Sequence, residues 1–445
     1  MLARLAPVST IPDTPPPDDN EEGGLLRLAL LAVIGGVLTG LAGGLFRLAL
    51  VKTGAWWVQF GDWARDLGGW RLVLPVLGAA AAVAVARLVV RWAPESGGSG
   101  IQRVEATVRH EGDPSPFRVV PAKFVGGTLA IGVGMALGRE GPTVQMGATI
   151  GSAVAKRGKC DPHDVRTLGS AMAGAGLGVA FSAPLGGAIF VLEELDKAIR
   201  TRLLVAVLIA SSVSLAVAYP IVGRQPVLPV RALGPGSWWE LPFFVLLGVI
   251  AGVAGRYYNR LVVLLLDLFD AMKRIPPEVK AGFIGALVGL LGVVAPWLVG
   301  GGELLADQVL NVSYSVGGLA VVFLVRWFLG PLSYSAGTPG GLFAPLLVVG
   351  AAMGGLLAGL GNLIAPGMHL RPEAFAIVGM TAFFAAVVRS PLTGIALCVE
   401  MTATTSVLVP MLLAAGTTMI VGTIVKSTPI YDMLRLRMEG HSVRY

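Results

Sequence analysis

Charge is scarce in this chain: 34 Lys+Arg and 27 Asp+Glu make up 14% of its 445 residues. A soluble domain carries about 25%, so a soluble enzyme is excluded. Cysteine is almost missing, with Cys160 and Cys398 alone, which leaves neither a disulfide framework nor a thiolate metal site. The four histidines, His110, His163, His369 and His441, are scattered and form no HExxH, so no metal is expected. P-loops, Ser/His pairings and paired intramembrane aspartates are lacking too; the chain does not read as an enzyme, and no cofactor is expected. Strict polar/apolar alternation is absent, which excludes a membrane barrel. Residues 1–23 have no apolar core of a cleavable signal and are rich in Pro and Asp. They read as a disordered cytoplasmic tail.

What abounds is apolar. AVILMFWYC residues reach 54% and the mean hydropathy is +0.75. Leu25 to Val51, Leu72 to Val90, Leu203 to Tyr219 and Pro242 to Leu266 are each long enough to cross about 30 Å of hydrocarbon. The 61 Gly and 29 Pro suit membrane helices, where neighbouring helices re-satisfy freed backbone groups. The net charge of +7 sits in short loops such as Lys156-Arg157-Gly158-Lys159 and Arg200-Thr201-Arg202. That distribution follows the positive-inside rule and implies contact with anionic lipid rather than nucleic acid. The fold class is therefore an all-α polytopic membrane protein.

Two apolar stretches are broken. Gly138-Arg139-Glu140-Gly141-Pro142 interrupts Phe117 to Ala155, and Pro339-Gly340-Gly341 interrupts the region from Gly337 to Leu360. Broken helices at membrane depth persist only where the backbone is buried in protein or lines a polar cavity. The breaks also belong to a repeat. Glycines follow Pro142 at 147 and 151, and follow Pro345 at 350 and 354, the same offsets. Ser-Ala-Pro184-Leu-x-Gly187 leads to Glu193, and Arg-Ser-Pro391-Leu-x-Gly394 leads to Glu400, each nine residues past the proline. Residues 24–438 thus read as one transmembrane domain with halves at about 25–219 and 238–438, and 439–445 as a C-terminal tail. Paired broken helices point to a transporter's central site.

Four segments concentrate polar groups. Gly97-Gly98-Ser99-Gly100-Ile101 can turn sharply and offer amides and a hydroxyl to an anion without a full positive charge, which would hold it too tightly to release; an ordinary helix cap is the plainer reading. Glu140 precedes a helix opened by Pro142, where a carboxylate can occupy an anion's place or simply cap. Gly340-Gly341-Leu342-Phe343-Ala344-Pro345, its repeat partner, has no carboxylate, so its amides can face an anion permanently. Of Glu193-Glu194, neighbours about 100° apart on a helix, one can face the interior as a proton acceptor while the other pairs or caps. Tyr431, in Thr428-Pro429-Ile430-Tyr431, offers a phenol donor or an interfacial anchor.

Assembled, these motifs resemble the CLC family of chloride channels and chloride/proton antiporters, over about Leu25 to Met438. The resemblance implies two inverted repeats around an anion pathway, and a homodimer with one pathway per subunit. Ser99, Tyr431 and the amides of Leu342 and Phe343 would hold chloride, with Gly100, Ile101 and Gly141 shaping the backbone around it. Glu140 matches the gating glutamate, Glu194 the inner proton-transfer glutamate, and Glu193 its supporting neighbour. Glu105, Lys123 and Arg139 fall at positions of buried charge; Lys123 should have a carboxylate partner, with Glu105 a candidate. A carboxylate at 194 goes with antiport, the alternative being a passive channel gated by Glu140. Ser99 goes with chloride rather than nitrate, and Gly-Arg-Glu-Gly-Pro with Tyr431 argues against the fluoride-exporting branch. Gln102 departs from a common proline. The end at Tyr445 leads one to expect no cytoplasmic nucleotide-sensing domains and a bacterial inner-membrane location.

Overall fold

The computed structural model describes residues 22–230, 233–234, 236–312 and 314–440. Of the expected tails, residues 1–21 and 441–445 lie outside the described residues. The first half contains α1 (Glu22–Leu67), α2 (Val73–Trp92), α3 (Ile101–Val108), α4 (Val119–Gly132), α5 (Glu140–Arg157), α6 (Pro162–Phe181), α7 (Pro184–Phe190) and α8 (Thr201–Val222). The second contains α9 (Leu241–Ala271), α10 (Pro277–Val294), α11 (Glu303–Asn311), α12 (Val316–Tyr334), α13 (Phe343–Ile364), α14 (Pro372–Val388), α15 (Pro391–Thr402) and α16 (Leu408–Ile424), and α17 (Ile430–Met438) closes the chain. Among the described residues, seven helices are long and apolar enough to cross a membrane, and their outward faces carry exposed leucine, valine and tryptophan.

Without a hydrophobic drive between helices in lipid, close backbone approach at small residues holds such a bundle together. On α5, a Cβ at Gly147 or Gly151 would collide with the carbonyls of Met172 and Leu168 on α6. On α13, Gly350 and Gly354 lie against the carbonyls of Gly379 and Phe375 on α14 in the same way. The repeat extends to a motif the sequence reading passed over. Gly36, Gly40 and Gly43 seat α1 on α8 and α6, and Gly248, Gly252 and Gly255 seat α9 on α16 and α14.

The halves also exchange caps. Glu193 accepts from the amides of Leu392 (3.0 Å) and Thr393 (2.7 Å) at the start of α15. Glu400 accepts from those of Leu185 (3.1 Å) and Gly186 (2.7 Å) at the start of α7. Such a reciprocal exchange between equivalent residues is what a pseudo-two-fold axis between inverted repeats produces. Each carboxylate satisfies orphan amides that a helix start would otherwise leave unpaired inside the membrane.

Candidate functional site

Four helix starts converge in the buried interior: α3, α5, α13 and α17. Backbone joins the first three. Gly138 and Gly341 exchange two hydrogen bonds of 2.8 Å, while Gly98 N donates to Thr338 O and Gly340 N to Gly98 O, each at 3.1 Å. The turn before α3 depends on Gly98 (φ +66°) and Gly100 (φ +88°), conformations that favour glycine. Tyr431 joins α17 to the group by packing its ring 5.7 Å from that of Phe343.

Glu140 is the first residue of α5 rather than the residue ahead of it. It is fully buried, and its Oε1 accepts from the amide of Ala344, at 3.0 Å, in the first turn of α13. The carboxylate therefore reaches the helix start of the opposite half. It lies across Gly138 and Gly341, where a Cβ would meet it. Beside it, Gly141 lets α5 approach Ser99. Ser99 Oγ, Tyr431 Oη and the second oxygen of Glu140 are all buried without a well-formed protein hydrogen bond, the two hydroxyls lying beside one another. Since no side chain caps α3, Ser99 is not an ordinary N-cap, and fully buried Tyr431 is not an interfacial anchor. Two orphan hydroxyls beside helix N-termini form a donor set suited to a small anion.

Basic side chains turn away from this point. Arg139 Nε donates to Ala180 O (2.9 Å), and its Nη1 pairs with Glu303 (3.0 Å). Lys123 corrects the sequence reading: among the described residues it has no carboxylate partner, and donates instead to the carbonyls of Gly98 (2.7 Å) and Ser99 (2.9 Å). The tight turn before α3 directs these carbonyls to one side, and a buried ammonium satisfies them where water is excluded. Glu105 pairs with Arg109 at 2.5 Å, and Arg109 reaches Asp432 of α17 at 3.4 Å. Arg326, passed over in the sequence although it stands alone in an apolar run, repeats the Lys123 device. Its guanidinium holds the carbonyls of Leu298 (3.2 Å), Gly300 (2.7 Å) and Gly301 (3.0 Å) before α11.

Glu193 and Glu194 lie in a π-helical turn, Val191–Leu195, that continues α7. Such turns recur at functional sites. Glu194 is buried, with Oε2 accepting from Ser390 Oγ at 2.6 Å and Oε1 unpartnered. Glu193 points across to the α15 cap. From Ala344, which holds Glu140, the adjacent Phe343 packs at 5.8 Å on Phe190, four residues before Glu194. Phe384 closes the same cluster at 4.7 Å from Phe343. That link offers no titratable side chain for proton transfer.

The family described as voltage gated chloride channel matches residues 80–423. The chain belongs to this family. It is 36% identical over 419 residues to the H(+)/Cl(-) exchange transporter ClcA of Vibrio vulnificus, covering 92% of this chain and 89% of that protein. It is 35% identical over 425 residues to the H(+)/Cl(-) exchange transporter ClcA of Salmonella paratyphi B, covering 93% and 89%. The crystal structure of a slow cyanobacterial Cl-/H+ antiporter superposes with a TM-score of 0.87 at 30% identity, covering 94% of this chain and 99% of that one. With its apolar helices and bacterial relatives, this family member is a multi-pass protein of the bacterial inner membrane.

Proposed function

We propose that this protein exchanges chloride for protons. The observation that carries the reading is the Glu140 carboxylate bound to the Ala344 amide, an anion already seated at a helix start beside two unpartnered hydroxyls. Relatives named H(+)/Cl(-) exchange transporters, covering nine-tenths of the chain, support it. Chloride is held by Ser99, Tyr431 and the amides of Leu342 and Phe343, with Gly100, Ile101 and Gly141 shaping the surrounding backbone. No step needs a full positive charge at the ion.

As a carboxylate, Glu140 competes with chloride for amides of the α13 start. Protonation removes the charge and frees those amides. Proton binding and chloride entry then favour one another, and by linkage the coupling is reciprocal. Glu194, buried with one oxygen unpartnered, passes protons to and from the cytoplasmic side. Transient water bridges the apolar cluster at Phe343 and Phe190. Glu193 holds α15 and so positions Ser390, the partner of Glu194. Arg139, Glu105 and Lys123 are electrostatic and structural supports. Two copies pair through α8 and α16, whose exposed Leu208, Val409, Leu412 and Ile420 would be covered in a homodimer.

The test is purified protein in liposomes under a chloride gradient, with voltage set by potassium and valinomycin and external pH recorded. Chloride-driven proton movement against the proton gradient is the expected result. Chloride flux without it would make this protein a passive channel, with Glu140 as a gate only.

A further inference from the structure

A solvent-open cavity of about 40 Å³ lies between α9 and the connection from α16 to α17, lined by Arg256, Asn259, Arg260, Lys426, Ser427, Thr428 and Met433. Three of these residues are cationic, and no carboxylate lines the cavity. The side chains of Arg256 and Lys426 have no hydrogen-bond or ion-pair partner among the described residues. The buried Ser427 Oγ is likewise unpartnered. The carboxylates further along α9, Asp267 and Asp270, are engaged with Arg437 of α17.

Lys426 is one of eight described non-glycine residues at positive φ. It sits at φ +53° just past α16, in the left-handed region that costs a lysine energy and suits a glycine.

Depth identifies the occupant. Exposed Trp238 and Tyr257 mark two levels of the α9 segment. The 19 residues between them rise about 28 Å at 1.5 Å each, close to the thickness of the hydrocarbon, and such aromatics sit at its two borders. Arg256 and Arg260 flank Tyr257, so the cavity lies at headgroup depth. Exposed Val253, Ile420 and Ile424 nearby supply apolar surface for acyl chains. The end is the cytoplasmic one: α17 packs on α3, and α3 on the π-helical turn. Just beyond that turn, Arg200 and Arg202 meet His163 and Asp164 at the start of α6, which the basic Lys156-Arg157-Gly158-Lys159 stretch precedes.

We propose that this cavity binds the phosphate of an anionic phospholipid from the cytoplasmic leaflet, with Arg256, Lys426 and Ser427 as its ligands. The lipid ties α9 to Thr428, three residues before Tyr431, and so steadies the start of α17. Thr428 already meets α9 through its carbonyl, which accepts from Asn259 Nδ2 at 3.0 Å.

The test titrates the full chain in neutral detergent with phosphatidylglycerol or phosphatidylcholine and follows thermal unfolding. Phosphatidylglycerol should raise the midpoint by several degrees and phosphatidylcholine should not. Arg256→Gln should weaken the response about fivefold, as expected for loss of one cation near an anionic headgroup. Lys426→Gly should raise the lipid-free midpoint by relieving strain while weakening the lipid response. Lys273→Gln with Arg274→Gln, at the same end but outside the cavity, should respond like the wild type. The proposal is overturned if both lipids act alike, if Arg256→Gln and Lys426→Gly respond fully, or if the Lys273/Arg274 variant loses the response equally. Millimolar inorganic phosphate reproducing the shift without lipid would assign the site to a free oxyanion and overturn the lipid reading.

Discussion

The two halves match where they build and differ where they bind. Lys123 and Arg326 hold glycine turns by their carbonyls. Glu193 and Glu400 cap each other's helices, and paired glycines seat α5 on α6 and α13 on α14. Counting from Pro142 and Pro345, Glu140 corresponds to Phe343. From Pro184 and Pro391, Glu194 corresponds to Met401, and from Gly100 and Gly302, Ser99 corresponds to Gly301. Each of these three groups proposed to work on chloride or protons therefore corresponds to an apolar or bare residue in the other half. Symmetry supplies the scaffold, and departures from it supply the chemistry.

The hardest way to break the scaffold is at its glycines. Gly151→Leu and Gly354→Leu each drive a side chain into a neighbouring helix backbone. Each should leave no monodisperse folded protein by size-exclusion chromatography, since such overpacking exceeds the usual 1–3 kcal/mol. A tolerated substitution at either site would undo the symmetric packing argument.

The unsymmetric glutamates should spare the fold and abolish coupling. Glu140→Gln should give chloride flux with no coupled proton movement. Glu194→Gln should lose proton transport and keep part of the chloride flux. Liposome assays with simultaneous chloride and pH recording separate the two, and normal proton pumping by either variant would contradict its assignment.

Replacing the buried cations sharpens the comparison. Lys123→Met and Arg326→Met each strand carbonyls inside the protein, at about 1–3 kcal/mol per unsatisfied group. Arg326, with three carbonyls against two, should cost more stability. Only Lys123→Met should also weaken chloride binding, because only its turn carries Ser99. Thermal unfolding with calorimetry reads both effects.

The smallest effect tests the reciprocal caps. Glu193→Gln and Glu400→Gln each remove a charge-assisted cap and should lower stability by about 1–2 kcal/mol. Similar losses are expected despite the proximity of Glu193 to Glu194. A Glu193→Gln chain of undiminished stability would contradict the cap.

Much of this was legible in the chain because it is local. Apolar length, the breaks at 138–142 and 339–341, and the offsets of glycine after Pro142 and Pro345 all fall within one sequence window. The partners do not. Glu140 meets Ala344 across 204 residues, Glu194 meets Ser390 across 196, and Glu400 meets Leu185 across 215. Lys123 misled the sequence reading because a buried cation suggests a carboxylate, whereas turns held by glycine at positive φ gather carbonyls that serve as well. Glu303, the partner of Arg139, carried no local signal beyond its place after three glycines.

The central claim is that the Glu140 carboxylate and chloride compete for the same helix start. Chloride titration calorimetry on the wild type and Glu140→Gln, at pH 5 and pH 8, tests it directly. The account predicts that the Gln variant binds chloride more tightly at pH 8, and that acid strengthens binding to the wild type but not to the variant. Equal affinities at both pH values, with the same number of sites, would contradict it.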